Sequence, residues 1–266
     1  MRVLALDTTT RAGSVALVSD HGGDRILEER AGDATRTHAQ RLPSEIVALL
    51  ASHELRLSDI DLFAVASGPG SFTGLRIGIA TMQGFALVGR RPMVGISALA
   101  ALAHAGSRDL LPNQRVGAWM DAHRRDVFAA LFVVTGERIF RAGRLTEVDS
   151  ATVGDPLSTF ERWRQMGPTP AILIGDGAEL YAGLIARVMS GGSPPPPWPD
   201  PSAPATRIEP GPGLAGVIGL LALERARRGE TVTPAGIQPL YVRRPDAELA
   251  REHALADRRP HVSRAD

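Results

Sequence analysis

The 266-residue sequence contains no cysteine and no lysine. The first absence excludes disulfides, thiolate nucleophiles and zinc-cysteine sites. The second excludes a phosphate-loop lysine and a Schiff-base lysine, since every one of the 30 basic residues is arginine. Aromatic residues make up 5% of the chain against 44% hydrophobic residues, so the core has to be aliphatic and rich in alanine. The formal net charge of +1 offers no electrostatic footprint for nucleic acid or an anionic membrane. The seven histidines, at 21, 38, 53, 104, 123, 253 and 261, never lie three or four apart, the spacing a helical metal face requires, so no metal is expected. No apolar run approaches the ~20 residues of a membrane span. The N-terminal stretch reaches Asp7 too early for the apolar region of a signal peptide. The expectation is a cytoplasmic protein without membrane contact.

What is present centres on the segment from Ala64 to Gly89. Leu62 to Ala66 is short, apolar and without alternation, which predicts a strand covered on both faces. Gly68-Pro69-Gly70 then forces a turn, and Ser71 is a candidate N-cap for a following helix. That helix carries Gly74, Gly78 and Gly84, each costing roughly 1 kcal/mol relative to alanine. Close approach of another backbone is the expected compensation. Upstream, Arg2 to Leu6, Gly13 to Ser19 and Arg25 to Arg30 read as strands in two hairpins. From Thr37 to His53, Leu42, Ile46, Leu49 and Leu50 share a helical face, with Pro43 tolerable only near the first turn. Met93 to Ile96 is a strand and Ser97 to about Ala105 an alanine-rich helix.

The second half repeats the order. Strands are expected over Arg115 to Met120, Asp126 to Thr135 and Glu137 to Leu145, a helix over Pro156 to Met166, a strand over Ala171 to Ile174 and a helix over Gly177 to Met189. Two halves of βββ-α-β-α order suggest an internal repeat and an α/β fold of two related domains with mixed sheets, over residues 1–108 and 109–210. Ser193 to Pro204, with seven prolines, reads as an extended loop. Leu214 to Arg228 is a helix, placed within 212–228 and expected to pack back on the first domain. Residues 237–266 form an arm, with Ile237 to Val242 as a last short strand or extended segment, and a charged tail expected to fray.

Catalytic patterns mostly fail. Gly68 to Gly74 has three residues between its second and third glycines where a dinucleotide fingerprint needs two, and Ser71 lacks the flanking glycines of a nucleophile elbow. Asp7 and Thr8, at the end of the first strand, suit a metal-phosphate group or an Asx turn, and Asp121 repeats the pattern. Gly175 and Gly177 could lay backbone amides against a nucleotide or simply make a tight turn. These five residues constitute a candidate, degenerate nucleotide cleft. His38 with Glu45 is a candidate pair on one helix, and a solvated or interface histidine is the preferred reading. On the glycine helix, Thr73, Arg76, Ala80, Gln83, Gly84 and Leu87 form a stripe too apolar for solvent and too polar for core, as an interface stripe reads. A cover supplied by the chain's own C-terminal helix is the rival reading.

The run Ser67-Gly-Pro-Gly-Ser-Phe-Thr-Gly-Leu-Arg-Ile-Gly78, with Leu4-Ala-Leu-Asp-Thr8 and Gly13-Ser-Val-Ala16 before it, resembles the TsaB (YeaZ) family. These are the dimerisation subunits of the bacterial tRNA threonylcarbamoyladenosine machinery. Asp121-Ala-His-Arg-Arg-Asp-Val-Phe128 is similar to the family's Asp-Ala-Arg-x-x-Glu-Val-Tyr, departing at 123, 126 and 128, and Pro239, Tyr241 and Arg243 match its Pro-x-Tyr-x-Arg. His38, Leu42 and Pro43 resemble the family's helix start, although Ala39 and Gln40 replace the usual Ser and Glu. The resemblance implies an actin/Hsp70/sugar-kinase-like, ribonuclease H-like fold and a TsaD-type catalytic partner that transfers a threonylcarbamoyl group to the adenosine beside the anticodon. It also implies a TsaE-type ATPase, a homodimer when the chain is alone, and tRNA contact only through the complex. The partner's metal-holding histidines have no counterpart at Ser97-Ala-Leu-Ala-Ala-Leu102. The implied role is a non-catalytic scaffold without its own cofactor. Its expected interface is Leu42, Ile46, Leu49, Thr73, Gly74, Arg76, Ala80, Gln83, Gly84 and Leu87. The alternative is a small-molecule kinase or metallopeptidase-like enzyme of the same fold.

Overall fold

The computed structural model describes residues 1–136, 138–190 and 206–243. The prolines at 193–204 and most of the charged tail, 244–266, lie outside the described residues. Two five-stranded mixed sheets carry the fold. The first contains β1 (Arg2–Asp7), β2 (Ser14–Ser19), β3 (Arg25–Ala31), β4 (Leu62–Gly68) and β5 (Met93–Ser97), in spatial order β3-β2-β1-β4-β5. The second contains β6 (Arg115–Asp121), β7 (Val127–Val134), β8 (Leu145–Gly154), β9 (Ile172–Ile174) and β10 (Arg207–Glu209), in spatial order β8-β7-β6-β9-β10. In each sheet the first three strands are antiparallel and the fourth pairs parallel with the first. The two halves therefore share one ribonuclease H-like topology, the internal repeat read from element order.

Helices make five layers of this pair. α1 (His38–Ser52) and α2 (Phe72–Gly89) cover the outer face of the first sheet, where Leu42, Ile46 and Leu49 meet Leu4, Leu6, Phe63 and Val65. α3 (Ala98–Gly106) and α7 (Ala215–Arg227) fill the space between the sheets, and their alanines and leucines join side chains of both into one core. α4 (Pro156–Gln165), α5 (Asp176–Leu180) and α6 (Ala182–Met189) cover the outer face of the second sheet, around Trp119 and Trp163. The central strands of both sheets are thus buried on both faces, which is why β1, β2 and β4 read as apolar runs without alternation.

Three elements differ from the sequence reading. The third strand of the second half is β8 at Leu145–Gly154, not 137–145. The glycines Gly136 and Gly143 and residue Phe140 all have positive φ, so the chain turns there before pairing with β7. The helix expected over 177–189 is two, broken at Tyr181, whose ψ of 14° departs from helical geometry. The short strand β10 at Arg207–Glu209, paired parallel with β9, has no counterpart in the sequence reading, whereas Ile237 to Val242 takes the extended course, one of its two alternatives. Pro43 sits in the second turn of α1 rather than the first, on the exposed side, where Ala39, whose carbonyl receives no amide from Pro43, is exposed as well.

The glycine helix finds its backbone neighbour inside the chain. A Cβ on Gly74 would lie 2.2 Å from the Thr8 carbonyl oxygen, and one on Gly78 would lie 2.1 Å from Thr8 Oγ1. The end of β1 is therefore pressed against α2, and only hydrogen atoms fit between them. Gly84 has open space on its Cβ side.

Candidate functional site

A cleft of about 990 Å³ opens where the ends of β1 and β6 meet the N-terminus of α2. Its walls include Thr9, Thr10, Ser71 and His38 from the first half and Met120, Asp121 and Asp176 from the second. Of the five residues expected to form a nucleotide cleft, Asp121 is on the wall and the other four are not. Strand parity explains most of this. Asp7 shares a face with Val3 and Ala5, toward the helices between the sheets, whereas Thr8 lies beneath α2. Asp121 shares a face with Trp119, toward the outer helices, so the two aspartates are not equivalent despite ending corresponding strands. Gly175 and Gly177 are packed against the backbone of β6, a Cβ on Gly175 falling 2.0 Å from the Trp119 carbonyl oxygen. Gly175 is a closely packed turn residue, and Gly177 lies in the first turn of α5, pressed against the β6 backbone.

Asp7 is buried and accepts hydrogen bonds from the Thr9 amide at 2.9 Å and the Thr9 hydroxyl at 2.6 Å. Its burial raises its pKa above the ordinary carboxylate value despite those bonds, and the charges of Glu29 and Asp176 add to the rise. Asp176, at the start of α5, accepts from the amides of Asp121 at 3.0 Å and Gly177 at 2.9 Å. The residue is open on its outer side, but burial of its carboxylate raises its pKa too, aided by the Asp121 charge and opposed by those amide bonds. Asp121 turns back on its own hairpin, accepting from the His123 amide at 2.8 Å and pairing with His123 Nδ1 at 3.1 Å. Among the described residues, no group of three His, Asp or Glu side chains is placed to hold a metal ion.

The rim by α1 depends on a residue that sequence reasoning missed. Arg41 is 1% exposed and donates to the Ala12 carbonyl, to Glu45 Oε2 at 2.5 Å and to His38 Nδ1 at 2.7 Å. His38 Nε2 faces the Thr10 carbonyl at 3.1 Å. Because that carbonyl only accepts and the guanidinium only donates, His38 must be the neutral Nε2–H tautomer. Burial and the Arg41 charge lower its pKa accordingly. His38 and Glu45 thus act through Arg41, and no periodicity marks an arginine on a core-facing helix position.

The second feature is the outward side of α1 and α2. Leu42, Ile46 and Leu49 lie at 0–1% exposure against the sheet, so they belong to the core, and α1 turns Pro43, Val47, Ala48 and Ala51 outward. On α2, Gly74 is buried against Thr8, whereas Thr73, Arg76, Ala80, Gly84 and Leu87 face solvent. Val47, Leu87 and Val88 are 65%, 70% and 84% exposed. Gln83 turns toward the chain's own arm, donating to the carbonyls of Pro234 at 2.8 Å and Ile237 at 3.2 Å. The C-terminal helix α7 packs between the sheets and does not cover this stripe.

Comparison with known proteins agrees with this architecture. Residues 31–172 match the family model described as TsaD, tRNA N6-adenosine threonylcarbamoyltransferase. The chain is 32% identical over 195 residues to the tRNA threonylcarbamoyladenosine biosynthesis protein TsaB of Escherichia coli, spanning 68% of this chain and 81% of that protein. It is 31% identical over 249 residues to an uncharacterised protein of Mycobacterium tuberculosis, covering 92% of this chain and 93% of the relative. The structure of YeaZ from Pseudomonas aeruginosa superposes with a TM-score of 0.66 at 29% identity, covering 90% of this chain and 99% of that one.

Proposed function

The chain belongs to the TsaB (YeaZ) family, and from that premise we propose that it serves tRNA threonylcarbamoyladenosine biosynthesis as a non-catalytic subunit that docks a TsaD-type partner. The observation carrying this reading is the outward side of α1 and α2. It presents small and apolar residues, Val47, Ala48, Ala51, Ala80, Gly84, Leu87 and Val88, on two helices packed side by side. Exposed apolar surface of this kind is costly in water, and small side chains let another pair of helices approach closely. The interface is therefore Thr73, Arg76, Ala80, Gly84 and Leu87 with the outer side of α1, while Leu42, Ile46, Leu49 and Gly74 support it from beneath. The same face pairs two copies when the chain is alone. A TsaE-type ATPase joins the complex, and tRNA is reached only through it.

Co-purification with the TsaD-type subunit of the same organism tests the docking. A Cβ on Gly84 meets nothing within 4 Å, so Gly84→Leu leaves the free chain folded while obstructing a facing helix. Loss of the partner is expected; wild-type recovery would put the interface elsewhere. Nucleotide binding in the cleft is the second reading, favoured by its volume and by Asp121 and Asp176 at its wall. ATP turnover by the isolated chain that disappears in both Asp121→Asn and Asp176→Asn would replace the non-catalytic scaffold with a nucleotide-hydrolysing enzyme.

A further inference from the structure

The segment after α7 follows an unusual course. Val232 pairs with Met93 at the edge of the first sheet, exchanging amide-to-carbonyl bonds of 2.9 Å in both directions. Gln83 then holds the carbonyls of Pro234 and Ile237, and the Ile237 side chain is buried in the α1/α2 core. The Leu240 amide donates to the Ser67 carbonyl at 2.6 Å. Tyr241 stacks on Phe72 with ring centroids 5.2 Å apart, and its hydroxyl accepts from Arg76 Nε at 2.9 Å. The Arg76 guanidinium lies 4.0 Å above the Phe72 ring. Two residues later the chain has crossed to the second half. Arg243 Nη1 donates to the Ala122 carbonyl at 2.8 Å, and Nη2 is paired with the Asp126 carboxylate. Leu240 to Arg243 thus form part of the cleft wall.

The Arg243 anchor lands on a turn that needs support. His123, Arg124 and Arg125 are three consecutive non-glycine residues with φ of 58°, 55° and 68°. Such left-handed backbone costs roughly 1–2 kcal/mol per residue. The turn is closed by its own backbone bonds, Ala122 amide to Asp126 carbonyl and Asp126 amide to His123 carbonyl, and Arg243 grips both of its ends, residues 122 and 126.

We propose that residues 237–243 are a strap that sets the opening of the cleft and couples it to the partner-docking face of α2. The coupling runs through adjacent groups. Arg76 belongs to the exposed stripe of α2, and its guanidinium is fixed by Phe72 and Tyr241; Tyr241 is two residues from the Arg243 clasp on the far wall. With the strap latched, Arg76 is presented in one orientation, so a partner that binds it does not have to order it. With the strap released, Arg76 loses its acceptor and the cleft mouth loses its bridge. Closure and partner binding therefore favour each other, reciprocally by linkage. The coupling rests on the docking face proposed above; the latch itself does not.

The absence of native cysteine makes the latch directly measurable. In Arg36→Cys/Arg125→Cys chains, spin labels report the distance across the cleft mouth. The latched chain is expected to give one narrow distribution, Arg243→Ala a broader and longer one, and saturation with the TsaD-type subunit a narrower one. Arg243 lies across the cleft from the α2 stripe, yet Arg243→Ala is expected to weaken partner binding by about tenfold. Tyr241→Phe, which keeps the ring and removes the acceptor for Arg76, should weaken it less while leaving the cleft distance unchanged. An unchanged distance distribution in Arg243→Ala overturns the latch, whatever face the partner uses. A widened cleft with undiminished affinity overturns the coupling. If Gly84→Leu also leaves the affinity unchanged, the docking face is at fault and only the latch is retained.

Discussion

Three glycines on one helix should respond to alanine in three different ways. Gly84→Ala adds a Cβ into open space and gains helix propensity, so the free chain should be stabilised by about 1 kcal/mol. Gly78→Ala gains the same propensity but sets its Cβ at 2.1 Å from Thr8 Oγ1, 3.0 Å from Cγ2 and 3.1 Å from Cβ. All three atoms crowd the same point, so no rotamer of this buried, β-branched side chain escapes, and overpacking should leave a net loss of about 1–3 kcal/mol. At Gly74 the obstacle is the Thr8 carbonyl oxygen at 2.2 Å, which only a shift of the backbone can remove. That substitution should cost about 3 kcal/mol or more. Thermal unfolding reads the series, at about 2–4 °C per kcal/mol for a chain of this size. The decisive arm is Thr8→Ala. It removes the γ atoms but keeps the carbonyl, so it should restore most of the stability of Gly78→Ala and none of that of Gly74→Ala. Thr8 Oγ1 is buried without a hydrogen-bond partner, so the single Thr8→Ala change should cost about 1 kcal/mol or less. If Gly78→Ala is as stable as the wild type, or if Thr8→Ala rescues both glycine variants equally, the packing of β1 on α2 is not as described.

Two further predictions concern protons. His104 sits beside Phe140 and Arg144, and burial, aided by the Arg144 charge, lowers its pKa to about 4 from 6.5. The folded state favours the neutral ring, so stability is full above pH 6.5 and is lost as the pH falls toward 4, by about 3 kcal/mol. Urea midpoints should decline over that window, and His104→Leu should flatten the decline; an unaltered slope refutes the assignment. Asp7 carries the opposite sign, since a raised folded pKa favours the protonated carboxyl at low pH and penalises the charged one at neutral pH. Asp7→Asn keeps an oxygen for both Thr9 donors and should raise the melting temperature at pH 7, with the gain shrinking toward pH 4. A melting temperature lowered equally at both pH values would show that the charge itself is needed.

Much of the architecture was legible because it rests on local signals. Gly68-Pro69-Gly70 can only turn, Ser71 does cap α2 by accepting from the Gly74 amide at 3.2 Å, and the apolar runs of β1, β4, β6 and β9 are strands buried on both faces. The misplacement of β8 shows the limit. Leu145–Gly154 mixes charged and apolar residues at partial burial, an outer strand of its sheet, and its identity as a strand comes from pairing with β7 rather than from its own pattern. The same limit applied to the cleft: Asp7 and Asp121 occupy matching places in the repeat, but a one-residue difference in strand parity sends them to opposite faces.

The sequence by itself determined the βββ-α-β-α order within each half, the lack of thiol and lysine chemistry, and the family. Periodicity also established which residues of each helix lie together. It did not say which neighbour each face meets, because that depends on chain segments far apart in sequence. Only the tertiary structure decided that Leu42, Ile46 and Leu49 point inward, that the backbone admitted by Gly74 and Gly78 is the chain's own Thr8, and that Gln83 serves the arm. It left Gly84, on the same helix, facing open space, and so separated the glycines required by the fold from the one free to meet a partner.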